Sequence, residues 1–203
     1  MASIAKPTLE VPPSMPKVAN PAPLGLAAFG VTTVVLSCIN AGVLPKEAIP
    51  AVVPLAFAVG GLAQLITGAL EFKNGNTFGT VAFTAYGTFW CWYSLLIWTV
   101  GAGWLKPPAA VGVGATLLMW GVFSGYMWIC TFKANKGVFL TFLLLWITFF
   151  LLAAADFGWT RGKTLGGVMG LATGLAALYV SFAEMVNGTF SKEVLPLGKP
   201  IIS

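Results

Sequence analysis

The sequence predicts an all-α polytopic membrane protein with six transmembrane helices, and three observations lead to this fold class. First, 58% of its residues are hydrophobic and only 8% are charged, whereas an ordinary soluble domain has about 25% charged residues. Second, the chain contains several apolar runs with the roughly 20 residues that one membrane-spanning helix needs. Third, prolines and lysines lie between these runs, where they end one helix before the next begins.

Each helix is placed by the breaks on either side of it. The first two are predicted over about residues 24–44, ended by Pro45-Lys46-Glu47, and about 50–72. The third begins near residue 78 and ends before Lys106-Pro107-Pro108, and the fourth covers about 109–132. After a turn at 133–136 the fifth extends to about residue 155, and after a polar hairpin at 156–163 the sixth covers about 164–189.

The six helices form one membrane domain over residues 24–189, between two tails. Residues 1–23 form a flexible, proline-rich tail in which Pro7, Pro12, Pro13 and Pro16 interrupt any apolar core, so we do not expect a secretory signal. Residues 190–203 form a short polar tail.

Positive charges favour a topology with both termini in the cytoplasm. An even number of helices places both tails on one side of the membrane. That side holds seven basic residues, namely Lys6, Lys17, Lys73, Lys133, Lys136, Lys192 and Lys199. The other side holds four, namely Lys46, Lys106, Arg161 and Lys163. Because cytoplasmic segments carry more lysine and arginine, we expect a multi-pass protein of the plasma membrane with cytoplasmic termini.

Several classes of function are excluded or disfavoured by composition. The chain has no histidine, and Cys38, Cys91 and Cys130 lie far apart inside apolar runs, so we predict no metal and no cofactor. It offers no clustered nucleophile and base, so no catalytic residues are predicted and the protein is not expected to be an enzyme. The net charge of +5 is scattered over connectors and tails, which argues against nucleic acid as a partner.

A series of motifs runs through the predicted helices. Residues 20–26 are Asn-Pro-Ala-Pro-Leu-Gly-Leu, where two prolines suit the first turn of a helix. The later motifs are Ala28-Phe29-Gly30, Gly60-Gly61-Leu62-Ala63-Gln64, Thr84-Ala85-Tyr86-Gly87 and Glu184-Met185-Val186-Asn187. This series resembles the succinate–acetate permease family of acetate uptake transporters over almost the whole chain after the tail.

The resemblance implies transport of acetate and related small carboxylates, including succinate, by a proton-coupled symporter or an anion channel. It implies a hexameric assembly in which each protomer has its own pathway through the membrane lipids. A narrow hydrophobic constriction would be formed by Phe29, Tyr86 and Leu145. Gln64 matches a polar family position near the pathway, and Ala177 matches a small-residue position associated with substrate size.

Polar groups inside predicted helices are further candidates, because an unpaired polar group in hydrocarbon is costly. Glu184 is interpreted as a proton carrier or as a structural partner near the helix end, and Glu71, beside Lys73, as a helix-end anchor. Thr32 and Thr84 are hydroxyl candidates for substrate binding or selectivity. No lysine or arginine is predicted in mid-membrane, so helix N-terminal N–H groups would have to help hold a carboxylate. The helix start at Asn20 and the glycine-bracketed turn at 75–79 are the candidate sources.

Glycines recur at four-residue spacing in two helices. Gly121 and Gly125 form one such pair, and Gly166, Gly170 and Gly174 extend the spacing in the last helix. Such residues let helix backbones approach closely in lipid. We interpret them as bundle-packing positions, with a face toward a pore or a second subunit as the alternative.

Other membrane functions remain as alternatives. An aquaporin-like or formate-channel-like pore is suggested by Asn20-Pro21-Ala22, but the aquaporin fold needs two such motifs and only one is present. A non-transporting membrane scaffold would act by recruiting partners, and the small tails argue against it.

Overall fold

The computed structural model describes residues 19–202, so the expectations for residues 1–18 lie outside the described residues. Over this range the chain forms six long helical segments: α1 (Ala22–Asn40), α2 (Lys46–Lys73), α3 (Thr77–Gly101), α4 (Ala110–Cys130), α5 (Lys136–Asp156) and α6 (Gly162–Phe190). All six predicted helices are confirmed. One difference is at the end of α1, which stops at Asn40 because Gly42 adopts φ +81° and the chain turns.

Five of the six segments in residues 19–202 are long and apolar enough to cross a membrane; α3 is not among them. The reason lies in its composition, since Trp90, Trp92, Trp98, Tyr86 and Tyr93 lower its mean hydropathy without adding a charge. With 25 residues it is about 38 Å long, more than the roughly 30 Å of a hydrocarbon core. It is therefore the sixth transmembrane helix.

The helices form a closed ring in the order α4–α5–α6–α1–α2–α3. Backbones approach closely between α1 and α6, between α5 and α6 and between α4 and α5. The ring closes between α3 and α4 through aromatic side chains: the ring centroids of Tyr86 and Trp120 are 5.9 Å apart, and those of Phe89 and Trp120 are 5.2 Å apart. These two helices therefore meet through large side chains rather than through a close approach of their backbones.

The segment α2 changes its helical geometry within the membrane, which the sequence did not indicate. An α-helical stretch at Ile49–Leu55 is followed by a π-helical stretch at Ala56–Ala63 and then by α-helix again at Gln64–Lys73. At the first junction the Val53 carbonyl accepts a hydrogen bond of 2.6 Å from Ser94 Oγ on α3. Gln64 is the first residue after the π-helical stretch. Such turns are rare in proteins, and many of those known lie at functional sites, so Gln64 is a candidate functional residue.

The predicted C-terminal tail is an ordered segment that folds back on the bundle. Asn187 Oδ1 accepts from the N–H groups of Val194 (2.7 Å) and Leu195 (2.9 Å), and Asn187 Nδ2 donates to the Leu195 carbonyl. Further along, the Leu197 carbonyl accepts from the Gly137 N–H at 3.0 Å. The tail therefore links the end of α6 to the start of α5.

Candidate functional site

A cavity of about 390 Å³ opens at the end of the bundle where both termini lie; we call it the termini-side cavity. Its walls come from α1, α2, α3, α5 and α6 and from the turn between α4 and α5. The predicted constriction residues Phe29, Tyr86 and Leu145 all line it. Counted from the helix ends at this side, they are the deepest lining residues of α1, α3 and α5. The structure thus brings the three side chains together at the inner end of the cavity.

The three constriction side chains are packed tightly. Phe29, Tyr86 and Leu145 are 6%, 3% and 4% exposed, and the rings of Phe29 and Tyr86 have centroids 5.8 Å apart. Aliphatic and aromatic carbons at this depth can exclude water and hydrated ions, since they offer nothing to replace lost hydration.

A second aromatic layer lies beyond the constriction. The Phe89 ring packs edge-on against Trp120 and Phe149, with centroids 5.2 Å away in both cases. Phe89 is also among the residues that line a second cavity, of about 550 Å³, which opens at the opposite end of the bundle and which we call the opposite cavity. Sequence analysis missed this layer, although Phe89 and Phe149 follow Tyr86 and Leu145 at spacings of three and four residues, which place them on the same helix faces.

The hydroxyl group of Tyr86 is bound to a side chain of α4. It lies 2.8 Å from Ser124 Oγ on α4, and Ser124 Oγ donates to the Trp120 carbonyl at 2.7 Å. Ser124 is fully buried. Sequence analysis did not single out Ser124, because the serine gives no local signal that it faces a tyrosine on another helix.

Gln64 supplies a polar group to the termini-side cavity. Its side chain is 1% exposed, and its Oε1 has no hydrogen-bond partner among the described residues. A buried amide with an unused oxygen is costly unless a water or a solute completes its bonding. Gln64 was predicted to lie near the pathway, and the structure places it in the lining of this cavity.

Glu184 lines the rim of the cavity, and Asn20, just before α1, contacts its carboxyl group. Asn20 Nδ2 donates to Glu184 Oε2 at 3.2 Å, and Asn20 Oδ1 accepts from the Ala22 N–H at 3.0 Å. Pro21 and Pro23 have no N–H, and the Leu24 N–H donates to the Pro21 carbonyl. The first turn of α1 therefore keeps no free N–H group, which differs from the expectation that this helix start would hold a carboxylate.

The start of α3 forms another part of the rim. Asn76 and Gly79 line the cavity, and the Gly79 N–H donates to Asn76 Oδ1 at 3.0 Å. Glu71 lies beneath this turn, 2% exposed, while Lys73 is exposed to the outside. Glu71 is thus a buried partner of the α2–α3 turn rather than an anchor beside Lys73.

Three predicted site residues lie elsewhere in the bundle. Thr32 is fully buried and donates to the Ala28 carbonyl at 2.9 Å. Thr84 faces Gly68 at the contact between α3 and α2, and Ala177 is fully buried within the core cluster. Their side chains are not among those that line either cavity. Helix periodicity alone does not tell a cavity-facing position from one that packs on a neighbouring helix.

A protein-family model described as the GPR1/FUN34/yaaH family matches residues 3–198. The chain belongs to this family. The chain is similar to the succinate-acetate/proton symporter SatP of Escherichia coli K12, with 37% identity over 184 residues, which are 90% of this chain and 97% of that protein. Acetate permease A of Emericella nidulans is 36% identical over 89% of this chain and 66% of that protein.

A solved structure shows the same fold. The structure of the bacterial acetate channel SatP superposes with a TM-score of 0.86 at 38% identity, and the match covers 90% of this chain and 100% of that one. These three relatives of the GPR1/FUN34/yaaH family member are named as a symporter, a permease and a channel. Together with the apolar helices, this identifies a multi-pass membrane protein.

Proposed function

We propose that this protein transports acetate and related small carboxylates across the membrane, with succinate as a larger substrate. The observation that carries the proposal is the convergence of Phe29, Tyr86 and Leu145, from three different helices, at the inner end of a cavity open to one side. The two cavities and the aromatic layers between them form an hourglass-shaped path through the protomer. The family membership and the names of the relatives support the same conclusion.

The termini-side cavity suits the recognition of a small carboxylate. Lys133, which is exposed, and Asn135 line its rim on the turn between α4 and α5 and offer N–H donors where solute enters. Gln64 lies deeper, beside the constriction, and completes its bonding with the solute or with water. The methyl group of acetate fits the aromatic and aliphatic inner end. Asn20 orders the rim through its bond to Glu184.

Two modes of transport are open to this architecture, and Glu184 bears on the choice. A proton-coupled symporter would carry a proton with each carboxylate, whereas an anion channel would let the carboxylate follow its own electrochemical gradient. The Glu184 carboxyl group lines the termini-side cavity and accepts a hydrogen bond from Asn20. We propose it as the proton-linked group of a symporter; in a channel it would serve only as the structural partner of Asn20.

The remaining features of the proposal concern the assembly. We propose a hexamer of protomers in the plasma membrane, with residues 24–189 as the transport domain and both termini in the cytoplasm. We assign no enzymatic activity and no cofactor to the protein. The roles of Thr32, Thr84 and Ala177 would then be indirect, through the packing of the helices that carry the pathway.

The decisive experiment is uptake of labelled acetate into proteoliposomes of the purified full-length protein, compared with empty liposomes to subtract permeation through lipid. Uptake is measured at zero membrane potential, with and without an inward proton gradient. Accumulation that an uncoupler abolishes would establish proton-coupled transport, and Glu184→Gln should then reduce it. Equilibration without accumulation would establish a channel. No flux above empty liposomes from folded protein would refute the proposed function, and water flux alone would favour an aquaporin-like pore.

A further inference from the structure

The direction of two hydrogen bonds can be assigned at the constriction. Ser124 Oγ lies 2.7 Å from the Trp120 carbonyl oxygen, and a carbonyl can only accept. The serine hydroxyl has one proton, so that proton is committed to Trp120. Tyr86 Oη lies 2.8 Å from the same Oγ. The tyrosine must therefore be the donor in that contact, and its only proton points at Ser124 rather than along the pathway.

This assignment leaves Phe29, Tyr86 and Leu145 without a donor for a passing solute. Phe29 and Leu145 carry no polar side-chain atom, and Tyr86 presents its ring face and edge with its proton already used. The enclosing helices are regular here, so their backbone N–H groups are bonded within each helix. A carboxylate anion would lose its hydration between these three side chains and gain no hydrogen bond from them, which is far more costly than the same step for a neutral carboxylic acid.

We infer that Ser124 is a positioning residue that binds the Tyr86 hydroxyl and thereby makes the constriction pass the protonated acid in preference to the carboxylate anion. The inference rests on the proposed function and specifies the form of the substrate that crosses. Each molecule of neutral acid carries one proton and no net charge. The constriction by itself would then give electroneutral movement of acid and proton together, without a titrating side chain in the narrowest part of the path.

The test measures the charge that accompanies transport in proteoliposomes of the full-length protein. Labelled acetate uptake is compared at zero potential and at an inside-positive potential set with potassium and valinomycin, at alkaline pH where acetate is nearly all anion. Electroneutral uptake of acid should not respond to the potential, so the wild-type rate above empty liposomes should be the same in both conditions. An anion pathway would be accelerated by the inside-positive potential.

The variant Ser124→Ala should change this behaviour. It removes the acceptor of the Tyr86 proton, which can then donate to a carboxylate at the constriction. A hydrogen bond to a charged group corresponds to about tenfold or more in rate, so potential-driven uptake should rise by about that factor. The double variant Ser124→Ala/Tyr86→Phe lacks the freed hydroxyl and should lose the gain. A merely structural role for Ser124 would alter the amount of folded protein or the total flux but would not create charge movement that depends on Tyr86.

The matched control is Thr116→Ala on the same helix. Thr116 Oγ1 donates to the Gly112 carbonyl at 3.0 Å, as Ser124 does to Trp120, but lies outside both cavities. Acetate uptake by the Thr116→Ala protein should stay insensitive to the membrane potential. Wild-type uptake that is itself driven by the potential would overturn the inference and leave the proposed function intact, even if Ser124→Ala does not fold. A folded Ser124→Ala protein with unchanged electroneutral uptake would also overturn it. Absence of wild-type flux would instead refute the proposed function.

Discussion

Asn76 donates a hydrogen bond of 2.8 Å from Nδ2 to Oε2 of Glu71, a carboxyl group that is only 2% exposed. The same asparagine accepts the Gly79 N–H through Oδ1 and so caps the start of α3. One side chain therefore joins the end of α2 to the beginning of α3. Because Asn76 and Gly79 also line the termini-side cavity, this joint fixes one side of its rim.

Replacing Asn76 with alanine should destabilise the fold by about 2–4 kcal/mol. The loss of an N-cap costs about 1 kcal/mol, and leaving the Glu71 carboxyl without its partner costs a further 1–3 kcal/mol or so. The measurement is the free energy of unfolding in mixed micelles titrated with a denaturing detergent. Asn74→Ala is the matched control, since its exposed side chain makes one long bond of 3.4 Å. Equal stability of the two variants would show that the joint does not hold the turn.

The constriction can be tested by removing its bulk. Phe29→Ala and Leu145→Ala should each widen the constriction, so that succinate enters more easily. The ratio of acetate uptake to succinate uptake should then fall by about tenfold, which is the effect of a small change of size in an apolar pocket. Competition between the two labelled acids in proteoliposomes gives this ratio. Phe182→Ala, at a 53% exposed position on α6, is the control and should keep the wild-type ratio. An unchanged ratio in both constriction variants would refute the assignment.

The fold was largely predictable because hydropathy and helix breakers act locally. Six apolar runs separated by prolines and lysines specify six helices whatever their partners are. The constriction residues could be proposed through motif resemblance, although the position of Leu145 within Leu143-Leu144-Leu145 had no local signature. Their convergence depends on the order of helices in the ring, and periodicity does not specify that order.

Interactions between distant segments could not be predicted in the same way. The Tyr86–Ser124 bond joins residues 38 positions apart, and the bond between Asn20 and Glu184 joins residues 164 positions apart. The π-helical stretch of α2 likewise lies against a distant segment, since Trp90 and Cys91 of α3 are close to its glycines. Glu71 was misjudged for a related reason: its neighbour in sequence, Lys73, points outward, and its partner is Asn76 across a turn.

The glycines that were predicted to pack the bundle have different surroundings in α6 and in α4. In α6, a methyl group on Gly170 or Gly174 would meet side chains of α1, and one on Gly167 would overlap the backbone of Asn40 and Ala41. In α4, a methyl group on Gly125 would have nothing within 4 Å. The close contact of α1 with α6 therefore depends on the glycines of α6, and the spacing in α4 is only partly used within the protomer.

We expect Gly167→Ala to destabilise the protein by about 1–3 kcal/mol or more, because rigid backbone atoms cannot yield as a flexible side chain can. Gly125→Ala, which adds the same methyl group to open space, should leave the monomer unchanged or slightly stabilise α4. Thermal unfolding of both variants in the same detergent provides the comparison. A Gly167→Ala protein as stable as wild type would mean that α1 and α6 separate easily, contrary to the packing described here.

The folded-back C-terminal segment depends on Asn187, whose side chain makes three hydrogen bonds to Val194 and Leu195. Beyond them, carbonyl groups of Leu197 and Gly198 accept the first N–H groups of α5. These acceptors satisfy helix-end donors that would otherwise lack a partner. The turn that they hold carries Lys133 and Asn135 at the rim of the termini-side cavity.

Asn187→Ala should release this segment while α6 itself stays helical. The loss of three bonds of about 0.5–1.5 kcal/mol each should speed amide hydrogen exchange by about tenfold or more in residues 194–202 and at Lys136 and Gly137. Exchange measured by mass spectrometry on peptides from both regions tests this. Thr189→Ala, which removes an exposed hydroxyl bonded only to the Met185 carbonyl, is the control. Faster exchange in the tail without any change at Lys136 and Gly137 would show that the tail does not stabilise the start of α5, and the rim would then be held by the α4–α5 turn alone.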